Sequence, residues 1–105
     1  MSLKFRVVSD SMSPLIKIHD ELSVLKKDNY STFDIILFKR NDKLIVHYVW
    51  RNQLAHNNTV ITRSLKNIFV DEEPVSLDEI LGLVINFKIG FLTRLIIYLR
   101  CRLAI

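Results

Sequence analysis

Along the first two-thirds of the chain, apolar and polar residues follow the period of strands. Leu3-Lys4-Phe5-Arg6-Val7 alternates apolar and charged side chains, which suits a strand with one buried face. Glu21–Leu25 is a second candidate. Asp34–Arg40 and Leu44–Arg51 are dense in Ile, Val and aromatic residues, with Asn41-Asp42 between them. Asn and Asp tolerate positive φ, so the pair predicts a hairpin turn. Asn57-Asn58 signals another turn, ahead of a strand over Thr59–Arg63. Pro74 falls in a loop opened by Asp71-Glu72-Glu73. Ser76, with Glu79 three residues on, has capping-box spacing and predicts one helical turn over Ser76–Leu81. Leu83–Phe87 reads as a last strand.

From Phe91 onward the period changes. Phe91, Leu92, Leu95, Ile96, Leu99 and Leu103 fall on one arc of a helical wheel. Arg94 and Arg100 lie off that arc, and Arg102 intrudes at its edge. The expected fold is therefore mainly β, a small domain of short strands over residues 1–88. A basic amphipathic helix over residues 89–105 completes it.

Composition narrows the function classes. The 105 residues suit one domain, and half of them are hydrophobic with only two Gly and two Pro. That excludes disorder and low-complexity linkers. The single cysteine, Cys101, closes no intrachain disulfide. Three scattered His with no nearby Cys argue against a metal site, so no metal and no cofactor are expected. Residues 1–87 carry eleven Lys and Arg against eleven Asp and Glu. The net charge of +4 thus comes from Lys88, Arg94, Arg100 and Arg102 alone. A nucleic-acid binder spreads its basic charge differently, so no nucleic-acid partner is expected. A greasy, basic tail suits a membrane interface, with Arg drawn to anionic lipid. Packing on the β body and a dimer contact are the alternatives. Met1–Val8 has no long apolar stretch of the kind found in signal peptides and anchors. No window of about 18 uncharged apolar residues occurs. The expected location is cytoplasmic, peripheral on a membrane through residues 91–105.

Three places carry candidate chemistry. Ser9-Asp10-Ser11-Met12-Ser13-Pro14 sets three hydroxyls between a strand and a proline. Serines there are usually turn or capping groups, and a serine hydroxyl is a poor nucleophile until a base takes its proton. His47 sits inside a strong strand, on the face of Ile45, Val49 and Arg51, where a lone His is more often a packed residue. His19 and His56 lie among turn-like polar residues and read as solvated. Asp71-Glu72-Glu73 would be a solvated loop unless one carboxylate reaches a histidine ring nitrogen.

Taken in order, these pieces resemble the motifs of type I signal peptidases. The residues are Ser11-Met12-Ser13-Pro14, then Asp20, Phe33-Asp34-Ile35-Ile36-Leu37-Phe38, and Val46-His47-Tyr48-Val49. The self-cleaving domains of SOS and phage repressors share that fold family. The third motif is matched by Thr62-Arg63-Ser64-Leu65-Lys66-Asn67 and Asp71. Pro74-Val75 and Leu81-Gly82-Leu83-Val84 continue the match. The resemblance covers residues 7–84. Where typical bacterial members and the repressors carry a Lys base, this chain has His47, like the endoplasmic-reticulum, archaeal and spore-former branch. Four features differ from the family pattern. His19 and Phe33 stand where the family has Gly before Asp, Tyr48 where an Arg often follows the His, and Ser64-Leu65 where it has Gly-Asp.

The resemblance implies a serine endopeptidase that cleaves a leader or signal-like peptide. Ser11 would be the nucleophile, His47 the general base and Asp71 the residue that orients His47. Ser9, two residues before the nucleophile, would join the Ser11 backbone N–H as an oxyanion donor. The partner would be a peptide or protein substrate in extended conformation. A non-catalytic binding or scaffolding member of the same fold is the alternative. A self-processing domain is a third reading, weakened because the chain has no DNA-binding part.

Overall fold

The computed structural model describes residues 3–7, 11–13, 15–65, 71 and 73–103. Among these, seven strands form one antiparallel sheet. They are β1 (Leu3–Arg6), β2 (Glu21–Leu25), β3 (Ile35–Arg40), β4 (Lys43–Gln53), β5 (Thr59–Arg63), β6 (Val75–Ser76) and β7 (Ile80–Val84). Their order across the sheet is β1-β2-β7-β3-β4-β5-β6. A single turn, α1 (Leu54–Asn57), joins β4 to β5, and α2 (Phe91–Leu103) follows the sheet. The fold is mainly β with a C-terminal helix, as the residue pattern implies.

The hairpin between β3 and β4 forms where Asn41-Asp42 predicts it. Both residues are left-handed, with φ of 53° and 63°, so the turn's twist matches that of the strands. β4 runs for eleven residues, longer than the strand expected over Leu44–Arg51. A register shift between Val49 and Arg51 lets it keep pairing with β5 as far as Gln53↔Thr59.

The last strand lies earlier than expected, at Ile80–Val84 instead of Leu83–Phe87. Gly82 explains the shift. A Cβ built there would meet Val24 Cγ1 at 2.6 Å and the Leu25 carbonyl oxygen at 2.7 Å, so β7 fits against β2 only with no side chain at that point. Asn86 then ends the strand with side-chain bonds: its amide donates to the Glu21 carbonyl at 2.8 Å, and its carbonyl accepts from the Ser23 N–H at 2.9 Å. The turn before β7 is a 3₁₀ turn over Leu77–Glu79. The Ser76 N–H and hydroxyl both donate to Glu79 Oε1, at 3.0 and 3.2 Å, so the capping pair acts on a shorter element than predicted.

β3 lies between β7 and β4 and is buried on both faces. Ile35 and Leu37 join Met12, Leu22, Val24, Tyr48 and Ile97 on one side. Ile36 and Phe38 join Tyr30, Val49, Val60, Val75 and Ile80 on the other. That is why Ile35–Phe38 is an unbroken apolar run while β1 and β2 alternate.

Two bulky residues take a backbone conformation that favours glycine. His19 and Phe33 have φ of 78° and 73°, the left-handed region that a glycine would enter freely. Each closes the same turn. The Asp20 N–H donates to the Lys17 carbonyl at 3.0 Å, and the Lys17 N–H donates to Asp20 Oδ2 at 2.8 Å. The Asp34 N–H donates to the Ser31 carbonyl at 2.9 Å, and the Ser31 N–H to Asp34 Oδ2 at 2.8 Å. The Asp side chains hold backbone conformations that the residues before them resist.

α2 is fastened by one side. Ile97 is buried, Tyr98 lies 5.6 Å from the Trp50 ring, and the Arg94 guanidinium lies 5.3 Å above Phe33. Arg94 Nε also donates to the Ile89 carbonyl at 2.9 Å. No helix among the described residues is long and apolar enough to cross a membrane.

Candidate functional site

β4 carries His47 opposite Ile36 of β3, with the edge of the ring set against Phe38 at 6.0 Å. Its Nδ1 lies 2.6 Å from Asp71 Oδ2, across 24 residues of sequence. The loop bearing Asp71 docks on the end of β5. The Asp71 N–H donates to the Thr62 carbonyl at 2.9 Å, and the Thr62 hydroxyl donates to Asp71 Oδ2 at 2.6 Å. Thr62 is fully buried, a place where a β-branched residue suits the sheet and the hydroxyl must find a partner.

The electrostatics of this pair have a definite sign. Burial pushes the Asp71 carboxyl up, but hydrogen bonds from His47 and Thr62, with the positive charges of His47 and Arg40, outweigh it. The carboxyl is held below its ordinary range and accepts at neutral pH. An ionised acceptor at Nδ1 places the ring proton there, which leaves Nε2 as the basic nitrogen.

Arg40, at the end of β3, holds the far side of the loop. Its Nη2 donates to the Pro74 carbonyl at 2.7 Å and its Nη1 to the Glu73 carbonyl at 3.3 Å. Nε and Nη2 also grip the two carboxylate oxygens of Glu79 at 3.1 and 3.0 Å. The Arg40 hydrogen bonds hold the Glu79 carboxyl down at about 2.

Ser11 reaches the same strand through its side chain. Its hydroxyl donates to the carbonyl of Val46, the residue before His47, at 3.4 Å. Its own carbonyl accepts from the Leu65 N–H at 3.0 Å. Met12 anchors the segment by burying its side chain, and its carbonyl accepts from Ile16. Among the described residues β5 pairs with β4 only from Tyr48 onward, so the edge of β4 before Tyr48 faces the Ser11 segment. A cleft of about 580 Å³ opens beside Ser11, walled by Phe5, Val7, Met12, Leu22, Leu37 and Val46.

Of the residues singled out from sequence, His47 and Asp71 meet in direct contact, and Ser11 lies against the residue next to His47. Ser9, the expected second oxyanion donor, lies outside the described residues. His19 and His56 are exposed. Among the described residues no group of three His, Cys, Asp or Glu side chains could hold a metal ion. Two contributors were not anticipated. Thr62 stands in the strand expected over Thr59–Arg63 and Arg40 at the end of the strand expected over Asp34–Arg40. The resemblance placed Thr62 in a motif without a role, and no local signal marked Arg40. No family model, curated protein or solved structure matches this chain.

Proposed function

We propose that this chain is a serine endopeptidase of the signal-peptidase type, acting through Ser11, His47 and Asp71. The observation that carries the reading is the His47–Asp71 contact of 2.6 Å, formed on the strand that also receives the Ser11 hydroxyl. A structural histidine needs no ionised carboxylate at Nδ1. A general base does, because the carboxylate fixes the tautomer and stabilises the imidazolium that forms.

In this reading His47 Nε2 takes the Ser11 proton as the serine oxygen attacks a peptide carbonyl. The tetrahedral intermediate places its negative charge near the Ser11 backbone N–H. The imidazolium returns its proton to the leaving amine, the peptide bond breaks, and an acyl-Ser11 ester remains. Water, deprotonated by His47, hydrolyses the ester and regenerates the serine. An extended substrate would lie along the open edge of β4 and place an apolar side chain in the cleft beside Ser11. In this reading Thr62 and the Asp71 loop hold the base, and Arg40 holds the loop.

The test is covalent. A serine-directed acylating probe should add its mass to Ser11 in the wild type and fail to do so in Ser11→Ala. In His47→Ala labelling should drop by at least about a hundredfold, the low end of what a positioned base contributes. All three proteins should be folded at the assay temperature, with His47→Ala melting lowest because Asp71 loses a partner. An unlabelled wild type, or labelling indifferent to His47, would favour the non-catalytic binding module.

A further inference from the structure

Helix α2 turns its apolar arc away from the protein. Its anchoring contacts come from Ile97, Tyr98 and Arg94. The arc itself stands out: Phe91 is 79% exposed, Leu92 72%, Ile96 55% and Leu99 54%, with Leu95 beside them. Residues spaced by three and four positions place these side chains on one continuous strip. Elsewhere exposed large apolar residues such as Leu3, Leu25 and Leu44 stand on separate strands, whereas α2 gathers five on one strip, and a contiguous exposed apolar patch marks an interaction surface.

Charge decides what covers it. No acidic residue follows Glu79 in the chain. Lys88 and Arg100 are exposed near the two ends of the strip, whereas Arg94 is turned inward to Phe33 and the Ile89 carbonyl. A second copy of the same helix would bring cation against cation with no carboxylate between them. An anionic lipid surface supplies both an apolar phase and the opposite charge. At a rise of about 1.5 Å per residue, thirteen residues span roughly 20 Å, short of the ~30 Å hydrocarbon core. The helix therefore fits along an interface and not across it.

We propose that α2 is a membrane-interface anchor that inserts Phe91, Leu92, Leu95, Ile96 and Leu99 into an anionic lipid surface, with Lys88 and Arg100 at the headgroups. Tyr98 seats on Trp50 of β4, so the anchor is joined to the strand that carries His47. This inference stands apart from the protease reading, because binding is measured without turnover.

The experiment is co-sedimentation of the full chain with sized vesicles of phosphatidylcholine alone, or with about a third phosphatidylserine. Leu92→Ser/Ile96→Ser removes exposed side chains only, and Lys88→Gln/Arg100→Gln removes charge only. Both should melt with the wild type. The wild type should bind the phosphatidylserine vesicles at least about tenfold more tightly than the neutral ones. Each double variant should lose at least about tenfold, and raised salt should weaken the wild type. Absence of binding would overturn the proposal, as would binding indifferent to lipid charge or to Leu92 and Ile96. So would a lipid-free dimer in sedimentation velocity that Leu92→Ser/Ile96→Ser dissolves, since a second copy would then cover the strip.

Discussion

The two flanks of the candidate site are built by different means. The flank of the proposed general base is a chain of charged and hydrogen-bonded side chains: His47 to Asp71, Asp71 to Thr62, and Arg40 to the loop carbonyls and Glu79. The flank of Ser11, the proposed nucleophile, is held by one side-chain bond, one backbone bond and buried apolar groups: Ser11 on Val46 and Leu65, Met12 in the core, and the cleft alongside. A general base needs one orientation and one tautomer, and fixed charges provide both. A serine that must accept a substrate needs room, and apolar walls provide it without competing polar groups. If that division holds, the first flank is sensitive to isosteric changes of charge and the second to changes of shape.

The sharpest break is Asp71→Asn. The amide keeps the shape but can donate toward Nδ1 and favour the wrong tautomer. Cleavage or probe labelling should fall by about four orders of magnitude in protein still folded at the assay temperature. A fall below about tenfold would remove Asp71 from the base's support. Thr62→Val comes next. It keeps the buried volume and removes one hydrogen bond to the carboxylate, worth about 1.5–3 kcal/mol. The rate should fall by about tenfold to a hundredfold. The pH profile should also move, because Asp71 loses one group that holds its carboxyl down.

Arg40→Ala tests whether the loop is clamped from outside. Its guanidinium serves two carbonyls, the Glu79 carboxylate and, at 3.6 Å, the exposed Glu73 carboxylate, so its loss should cost about 2 kcal/mol in chemical denaturation. Arg40→Lys should recover only part, since an ammonium cannot grip both oxygens of Glu79. The clamp also sets an acid limit. The Glu79 carboxyl titrates at about 2 in the fold against an ordinary 4.5, and Asp71 is depressed in the same direction. A depressed carboxyl contributes its stability above the ordinary value and loses it as pH falls through the folded one. Stability should therefore decline between pH 4.5 and about 2, and decline less in Glu79→Gln.

Much of this was readable from residue order. Alternation and apolar density marked β1 to β5, Asn41-Asp42 marked the hairpin, and Ser76 with Glu79 marked the cap. His47 and Asp71 were readable as candidates only through a resemblance, and their contact appears only in the fold. Local pattern could not show that Gly82 must sit against Val24, since that approach belongs to the packing of β7 on β2. Nor could it show Arg40 at work, because its partners lie more than 30 residues away. Thr62 looked like any strand Thr until a loop folded back onto it.

The smallest single effect, that of His19→Gly, is read against the other strained turn. His19 and Phe33 have the same left-handed backbone, but their side chains do different things. His19 is exposed, and its N–H donates to the Val7 carbonyl while the Val7 N–H donates to Asp20, which braces the chain leading towards Ser11. Phe33 is buried, stacked on Tyr48 at 5.9 Å and edge-on to Trp50 at 6.1 Å. His19→Gly should relieve backbone strain and lose little else, raising stability by up to about 1 kcal/mol. Phe33→Gly relieves the same strain but empties a core site, and should cost about 3 kcal/mol or more. Thermal melts of both variants read the contrast directly. If His19→Gly destabilised the protein as much as Phe33→Gly, the turn on the nucleophile flank would depend on the imidazole itself. Its shape would then not follow from the Asp20 bonds alone.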